Sequence, residues 1–544
     1  MKAHQRNLPH EPGRPPKAAC PCRAPARDAP PAHNLAGKPL LMTNDAISHF
    51  CLFRAPMDPG QLRQEVRALA GTHIGIFQWC IGTPLTARHE SSVLEVRGTQ
   101  GAGYENYVNW LIHANLLHLI RTGNDPLRIV CEEGHRAGMQ VWGSQRMNDR
   151  HHTYDIADTW CLVSRFCEEH PEALLPDGAL NWLRPEVQER VLGHFREVAE
   201  NYDVEGIDLD YTRIPPFFNP DEVDRGREAM TEFVRRTRAV LDEVGAKKGK
   251  RLGLSAQLYA QDPLENSVET AYNYGCDVRR WAREGLIDIL IGHYRSKMAY
   301  EPDISEWLAA VKGTSCKLYA GPGKPRERHC SMRPGLTRFI TLEEHRAIAA
   351  HLHAQGVDGI SFYDYMHHGS FDLRPFYEMG DPEVFRFANK LYVAQRELPL
   401  DLGCSATGGS ASTMLRFSDD LGAARKQGYN PRTRLLLNIR NLPEPEDVRV
   451  SLNGRDIGSP AREKLPAVPF RDMEYEEDMA SWHLELPFDC SALRFGMNEV
   501  RFVLSPRYEE LRAPCRVMKL DLEIRYTDES ACYGQWARFT GHGV

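Results

Sequence analysis

Between Ile47 and about Ala394, short apolar runs alternate with longer stretches whose apolar residues recur every three or four positions. The runs predict strands at Ser48–Arg54, Ile74–Trp79, Met139–Arg146, Gly206–Thr212, Leu252–Leu258, Ile287–Tyr294, Lys317–Ala320 and Gly359–Tyr365. The stretches between them predict helices at Pro59–Ala70, Tyr104–Ile120 with Pro126–Ala137, Pro185–Asn201, Pro220–Val244, Asp277–Glu284, Ile304–Val311 and Leu342–Gln355. A last helix is predicted at Pro382–Val393, with Asp381 placed to cap it. Pro185 stands where a first helical turn tolerates a missing N–H, and Gly138 and Gly356 stand just past helix ends. Eight strands, each followed by helix, predict an α/β fold, a (β/α)8 TIM barrel over residues 41–395. The first strand has an alternative, because Cys51, Leu52 and Phe53 also suit a loop.

After Leu400 the period changes to two. Leu435/Leu437/Ile439, Val448/Val450/Leu452, Trp482/Leu484/Leu486, Val500/Phe502/Leu504 and Leu520/Leu522/Ile524 alternate with polar residues, and Asn453-Gly454 marks a tight turn. They predict a smaller all-β sandwich domain over residues 400–544. Residues 1–40 hold 9 of the 36 prolines and seven Lys or Arg against two acids, with no hydrophobic period. A disordered arm is expected there, since such a segment buries too little apolar surface to offset its ordering entropy. Two connections, Cys80–Gly103 and Met147–Leu183, are unusually long. In a barrel both rise from the C-terminal face, where active sites lie, and Trp160 and Trp182 within the second suit an ordered lid.

Composition narrows the function classes. The 67 basic against 74 acidic residues, a formal net of −7, argue against a chain-wide nucleic-acid footprint. A mean hydropathy of −0.49 and the lack of a long apolar run argue against a membrane helix. Fourteen cysteines in 544 residues, with no CxxC spacing, predict mostly reduced thiols. Without a signal-like apolar stretch near the start, a cytoplasmic location is expected. No repeat or heptad is present, and nothing in the pattern sets an oligomeric state.

The sharpest chemistry lies at Tyr202–Arg213. Asp208 and Asp210 are two apart on a predicted strand, so both face one side. If Ile207 and Leu209 pack against the helices, the carboxylates point into the barrel, with Asp210 nearer its mouth. Two desolvated carboxylates side by side do not both ionise cheaply, which pushes one toward the acid/base range. The alternative for each is a structural Asp held by a neighbouring cation, and it suits Asp208 better than Asp210.

The segment Gly206 to Tyr211 (GIDLDY), after Ala137 to Asp149 (AGMQVWGSQRMND), resembles the glycosyl-hydrolase-like ten family, family-10-like TIM-barrel glycosidases, over about residues 42–395. The Arg146 to Asp149 part is the more specific. The Asp-x-Asp strand is shared with other glycosidase barrels, including family-18 chitinases, whose strand ends Asp-x-Asp-x-Glu with Glu as general acid. Here Thr212 occupies that Glu position, a departure from chitinase-type acid catalysis. The resemblance implies a carbohydrate substrate, hydrolysis with Asp210 as leading catalytic carboxylate, and no cofactor.

Glycoside hydrolysis usually uses a second carboxyl group. Asp364 at the end of the eighth strand is the first choice, Asp149 at the end of the third the next, with Asp262 and Glu90 as others. The seventh strand presents no acid at its end, unlike clan-A glycosidases with a nucleophilic Glu there. Aromatics cluster at predicted strand ends: Trp79, Trp142, Tyr211, Tyr259, Tyr294, Tyr319, Tyr363 and Tyr365. Sugars stack their C–H faces on such rings, while Gln78, Arg146, Asn148, Gln257 and His293, with Asp208, can fix hydroxyls. Strand propensity alone accounts for any single aromatic, and Arg146 also suits an ion pair with Asp210 or Asp149. The run Asn148 to His152 lacks HxH or HExxH spacing and is read as solvated or sugar-binding rather than metal-binding. Two other classes stay open: a carbohydrate-binding barrel without turnover, and a metal-dependent hydrolase.

Overall fold

Strands that alternate with helices pair in parallel and bury both faces, one under the helices and one inside the barrel, and the computed structural model shows that arrangement. It describes residues 39–100, 103–104, 106–148, 150, 164–213, 215–260, 267–294, 298–323, 326–328, 337–365, 372–462 and 480–527, with the backbone alone for Ser48, Tyr259, Ala260, Ser267, His293, Tyr294, 326–328 and 337–339. Eight parallel strands pair in chain order: β1 (Leu40–Asn44), β2 (Ile74–Gly82), β3 (Gln140–Arg146), β4 (Gly206–Asp210), β5 (Gly253–Ala260), β6 (Ile289–Tyr294), β7 (Lys317–Gly321) and β8 (Gly359–Tyr363). β1 pairs with both β2 and β8, so the sheet closes into a (β/α)8 barrel. Outward residues such as Ile207, Leu209, Leu254, Leu258 and Leu318 join the core under the helices.

Two predicted elements differ. The first strand is Leu40–Asn44, and the segment expected there forms a short helix, Ile47–Leu52. Both segments are apolar; partners decide between them. Leu40–Asn44 finds strands on both sides, whereas His49 and Phe50 turn onto the Trp79 ring outside β2. The helix expected at Pro382–Val393 stops at Phe385, and Lys390–Val393 becomes a strand antiparallel to Pro514–Arg525. A tertiary ladder there overrides the helical period. Pro185–Asn201 and Leu342–Gln355 keep their predicted bounds, and Asp381 caps its helix by accepting from the Glu383 N–H. The arm predicted at residues 1–40 lies, apart from Pro39 and Leu40, outside the described residues.

The barrel floor is apolar. Trp142 of β3 packs with Leu41, Ile76, Ile289, Ile291 and Tyr319. Its indole passes so close to β4 and β5 that a Cβ at Gly206 or Gly253 would lie 2.6 or 2.2 Å from it. Gly253→Ala is therefore expected to cost about 1–3 kcal/mol of stability by overpacking, read as a lower urea midpoint at unchanged slope. An unchanged midpoint would mean that the indole yields freely.

After the barrel, a six-stranded and a four-stranded antiparallel sheet enclose a core that includes Leu415, Phe417, Leu437, Val450, Phe502 and Leu522. Asn453 (φ 53°) and Gly454 (φ 79°) form the tight turn between Val448–Leu452 and Arg455–Gly458. Barrel and sandwich belong to one compact unit. At their seam the Glu301 carboxylate accepts from the backbone N–H of Gln395 at 3.2 Å and of Arg416 at 2.6 Å. Among the described residues no helix is long and apolar enough to cross a membrane, and the cysteines are free.

Candidate active site

The alternation along β4 turns Asp208 and Asp210 into the barrel, at successive levels. Asp208, the lower, accepts from Ser144 Oγ of β3 and Ser255 Oγ of β5, each at 2.7 Å. Thr43 Oγ1 donates at 2.7 Å to Gln78 Oε1 and lies 3.2 Å from Gln257 Oε1, while Gln78 Nε2 donates to Ser255 Oγ at 3.1 Å. This polar layer sits above the apolar floor. Complete burial, and then the charge of Asp210, push the Asp208 carboxyl up to about 7. An unfolded Asp releases its proton near about 3.9, so between these values the folded chain holds more protons than the unfolded one. Stability therefore falls as pH rises through that window. In Asp208→Asn the fall should be smaller, measured as urea midpoints near about pH 4 and pH 8; an equal fall would reassign the titration.

One level higher is the mouth. Asp210 Oδ1 accepts from both the backbone N–H (2.8 Å) and the hydroxyl of Thr212. Arg146 ends β3 and lies 3.4 Å from Asp45 Oδ2, just past β1. Arg213 donates to the Tyr363 hydroxyl at 3.3 Å and faces Asp210 and Asp45. Asp364 follows β8 and donates its N–H to the Thr43 carbonyl at 2.6 Å. Burial, then the charge of Asp45, hold its carboxyl well above the usual range, against the pull of Arg146 and Arg213. Three carboxyl groups and two guanidiniums thus meet at the C-terminal end of the barrel.

Of the residues expected at the site, Asp210, Asp364, Arg146 and Tyr363 come together, with Asp208 and Gln257 beneath them. Others are placed elsewhere, because adjacent strand residues face opposite sides. Trp79 is fully buried between β2 and the helix Ile47–Leu52, and Tyr211 packs outward on Phe217 and Trp281. Trp142 and Tyr319 form the floor, and Tyr365 packs on Phe362 and Phe376. Asn148 ties two loops together, donating to the Pro216 carbonyl at 2.8 Å and accepting from the Leu180 N–H at 3.3 Å. Arg146, expected beside Asp210 or Asp149, pairs with Asp45. Glu90 is exposed. Asp149 and Asp262, with the side chains of Tyr259, His293 and Tyr294, lie outside the described residues. Sequence reasoning missed Asp45 and Arg213. With the first strand placed too late, Asp45 stood before it rather than at its mouth end. Arg213 was inside the singled-out segment, three residues past Asp210, but drew no role.

A second cluster lies in the helix layer: His89, His194 and Glu197, all buried, with donor atoms within 4.8 Å of one another. The two Nε2 atoms are 2.8 Å apart, the ring planes differ by 4° and the centroids are 5.1 Å apart, so the imidazoles meet nose to nose. Zinc takes nitrogens at about 2.0–2.1 Å along their lone pairs; on this line there is room for a proton and none for an ion. Glu197 instead accepts from Ser91 and from Ser92, whose N–H and hydroxyl lie at 2.6 Å. The cluster gives the metal-dependent class no support.

No protein-family model matches the chain, and no curated protein matches it. The resemblance drawn from Arg146–Asp149 and Gly206–Tyr211 is therefore a likeness of motifs. Solved structures do match. The catalytic domain of a psychrophilic chitinase B from Arthrobacter TAD20 is 11% identical, with 65% of this chain and 96% of that one covered and a TM-score of 0.40. A glycoside hydrolase family 18 N-acetylglucosaminidase from Paenibacillus barengoltzii is 12% identical, with 63% and 99% covered and a TM-score of 0.36. A cycloisomaltooligosaccharide glucanotransferase from Paenibacillus sp. is 8% identical at a TM-score of 0.33; 90% of this chain is covered, and it spans 58% of that protein's length.

Proposed function

We propose that the protein is a glycoside hydrolase that cleaves an oligo- or polysaccharide at the barrel mouth, with Asp364 as proton donor and Asp210 as nucleophile or base. The observation that carries this is the unequal surroundings of two carboxyl groups at one barrel end. A glycosidic oxygen leaves readily only when protonated, so one carboxyl group must arrive as the acid and its counterpart as the carboxylate. Burial and Asp45 favour the acid form of Asp364. Both donors of Thr212 converge on one oxygen of Asp210, an arrangement that serves a charged acceptor. Thr212, standing where chitinases carry their acid, thus supports the carboxylate two residues before it. Asp149, at the end of the predicted third strand, remains the other counterpart.

The test is a panel of α- and β-linked oligosaccharides, with reducing ends and product anomers followed by proton NMR. The wild type should cleave one class, and Asp210→Asn and Asp364→Asn should not. Equal cleavage by wild type and Asp210→Asn overturns the proposal. Retention on a polysaccharide without cleavage would favour a binding barrel, and loss of cleavage on chelation a metal-dependent one.

A further inference from the structure

We infer that Asp45, just beyond β1, is a positioning residue of this site: its carboxylate, beside the buried Asp364 and tied to Arg146, acts with that burial to make Asp364 the proton donor. The use of that proton rests on the glycosidase proposal; the arrangement of the two carboxyl groups does not. β1 and β8 are neighbours, with Thr43 opposite Tyr363, and the Asp364 N–H still reaches the Thr43 carbonyl. Asp364 then turns into the left-handed region at φ 51°. For a residue with a Cβ this costs of order 1–3 kcal/mol, so the surroundings must hold it there. The turn brings its carboxyl group toward the Asp45 backbone N–H, which favours the carboxylate and partly offsets the effect of the Asp45 charge.

Asp45 itself is fastened on several sides. Its Oδ1 accepts from the Ile47 N–H at 3.1 Å, its Oδ2 lies 3.4 Å from the Arg146 guanidinium, and its carbonyl accepts from Arg88. Among the described residues, the charged and titratable groups around Asp364 include Asp45 after β1, Arg146 on β3, Arg213 after β4, Tyr363 on β8, the Cys51 thiol on the helix Ile47–Leu52, and Arg88 at the Asp45 carbonyl. Arg213 also faces Asp210 and the Tyr363 hydroxyl. Desolvated beside the Asp45 carboxylate, Asp364 would add a second negative charge there on ionising, so the proton stays on it. In the reaction the Asp364 O–H bond breaks and its proton goes to the glycosidic oxygen, which keeps the electron pair of its breaking bond to the anomeric carbon; that carbon bonds to Asp210, or to a water whose proton Asp210 takes. The electron pair of the O–H bond remains on Asp364, and water later restores the proton. The charge of Asp45 favours that restoration.

The test reads the proton directly, by infrared difference spectra of the protonated carboxyl C=O band over a pH series. Subtracting Asp364→Asn isolates Asp364 from Asp208. In Asp45→Asn, where a raising charge is gone, Asp364 should lose its proton at a pH lower by about 1, a tenfold larger dissociation constant. In Arg146→Gln, where a lowering charge is gone, the midpoint should rise. An Asp45→Asn midpoint at or above the wild-type value overturns the inference. Should that variant not fold, Arg146→Gln decides, and a midpoint that fails to rise overturns it. Turnover is read separately. The alkaline limb of kcat/KM should move down with the midpoint in Asp45→Asn, while aryl glycosides with good leaving groups are spared. A wild type that cleaves no saccharide but shows the infrared shifts would overturn the glycosidase proposal and leave the role of Asp45 standing.

Discussion

Asp210→Asn is expected to lower kcat on the cleaved saccharide by about 10²–10⁴-fold, the range a positioned acid, base or nucleophilic carboxylate contributes. The substitution isolates the charge. Asparagine keeps an oxygen at the Oδ1 position, so the hydrogen bonds from the Thr212 N–H and hydroxyl can persist. Asp210 is also almost wholly buried, so the variant removes a desolvated charge without opening a cavity. The urea midpoint should accordingly stay near or above that of the wild type while turnover collapses. Asp208 should respond as well: with the neighbouring charge gone, one cause of its raised value disappears and its titration moves down. A variant that hydrolyses at the wild-type rate would remove Asp210 from the mechanism.

The second large effect is on stability. Trp142→Ala should cost about 3–5 kcal/mol, the cost of emptying a large aromatic site in a packed core. KM for the saccharide should not change. The indole lies against Leu41, Ile76, Ile289, Ile291 and Tyr319 and over the backbones of Gly206 and Gly253. Its Nε1 donates to Gln140 Oε1 at 3.0 Å, at the start of β3 and away from the mouth. The strands have given up side chains at Gly206 and Gly253 to admit it, so nothing nearby can collapse into the space. Urea unfolding and substrate saturation separate the two roles. A KM raised several-fold at unchanged stability would return Trp142 to the sugar, where its strand-end pattern first suggested it.

Much of the barrel was legible because element type is written locally. Seven of the eight strands form within a few residues of the apolar runs, and two helices keep their predicted bounds. The facing of Asp208 and Asp210 followed from the same period, since Ile207 and Leu209 could only be satisfied in the helix layer. The aromatics were harder. Trp79, Tyr211 and Tyr365 stand near strand ends as Tyr363 does, yet they face outward, because one step along a strand exchanges barrel interior for helix layer.

By itself, then, the sequence determined the class of fold, the antiparallel sheets that follow the barrel and the strand carrying the two carboxyl groups, because periodicities of two and about 3.6 are properties of neighbouring residues. The tertiary structure alone decided which apolar segment became β1, that Lys390–Val393 joined a sheet, and that Asp45, Arg146, Arg213 and Asp364 meet at one mouth. Those outcomes depend on partners some 100 to 300 residues away, and no local pattern records which distant strand will close a barrel.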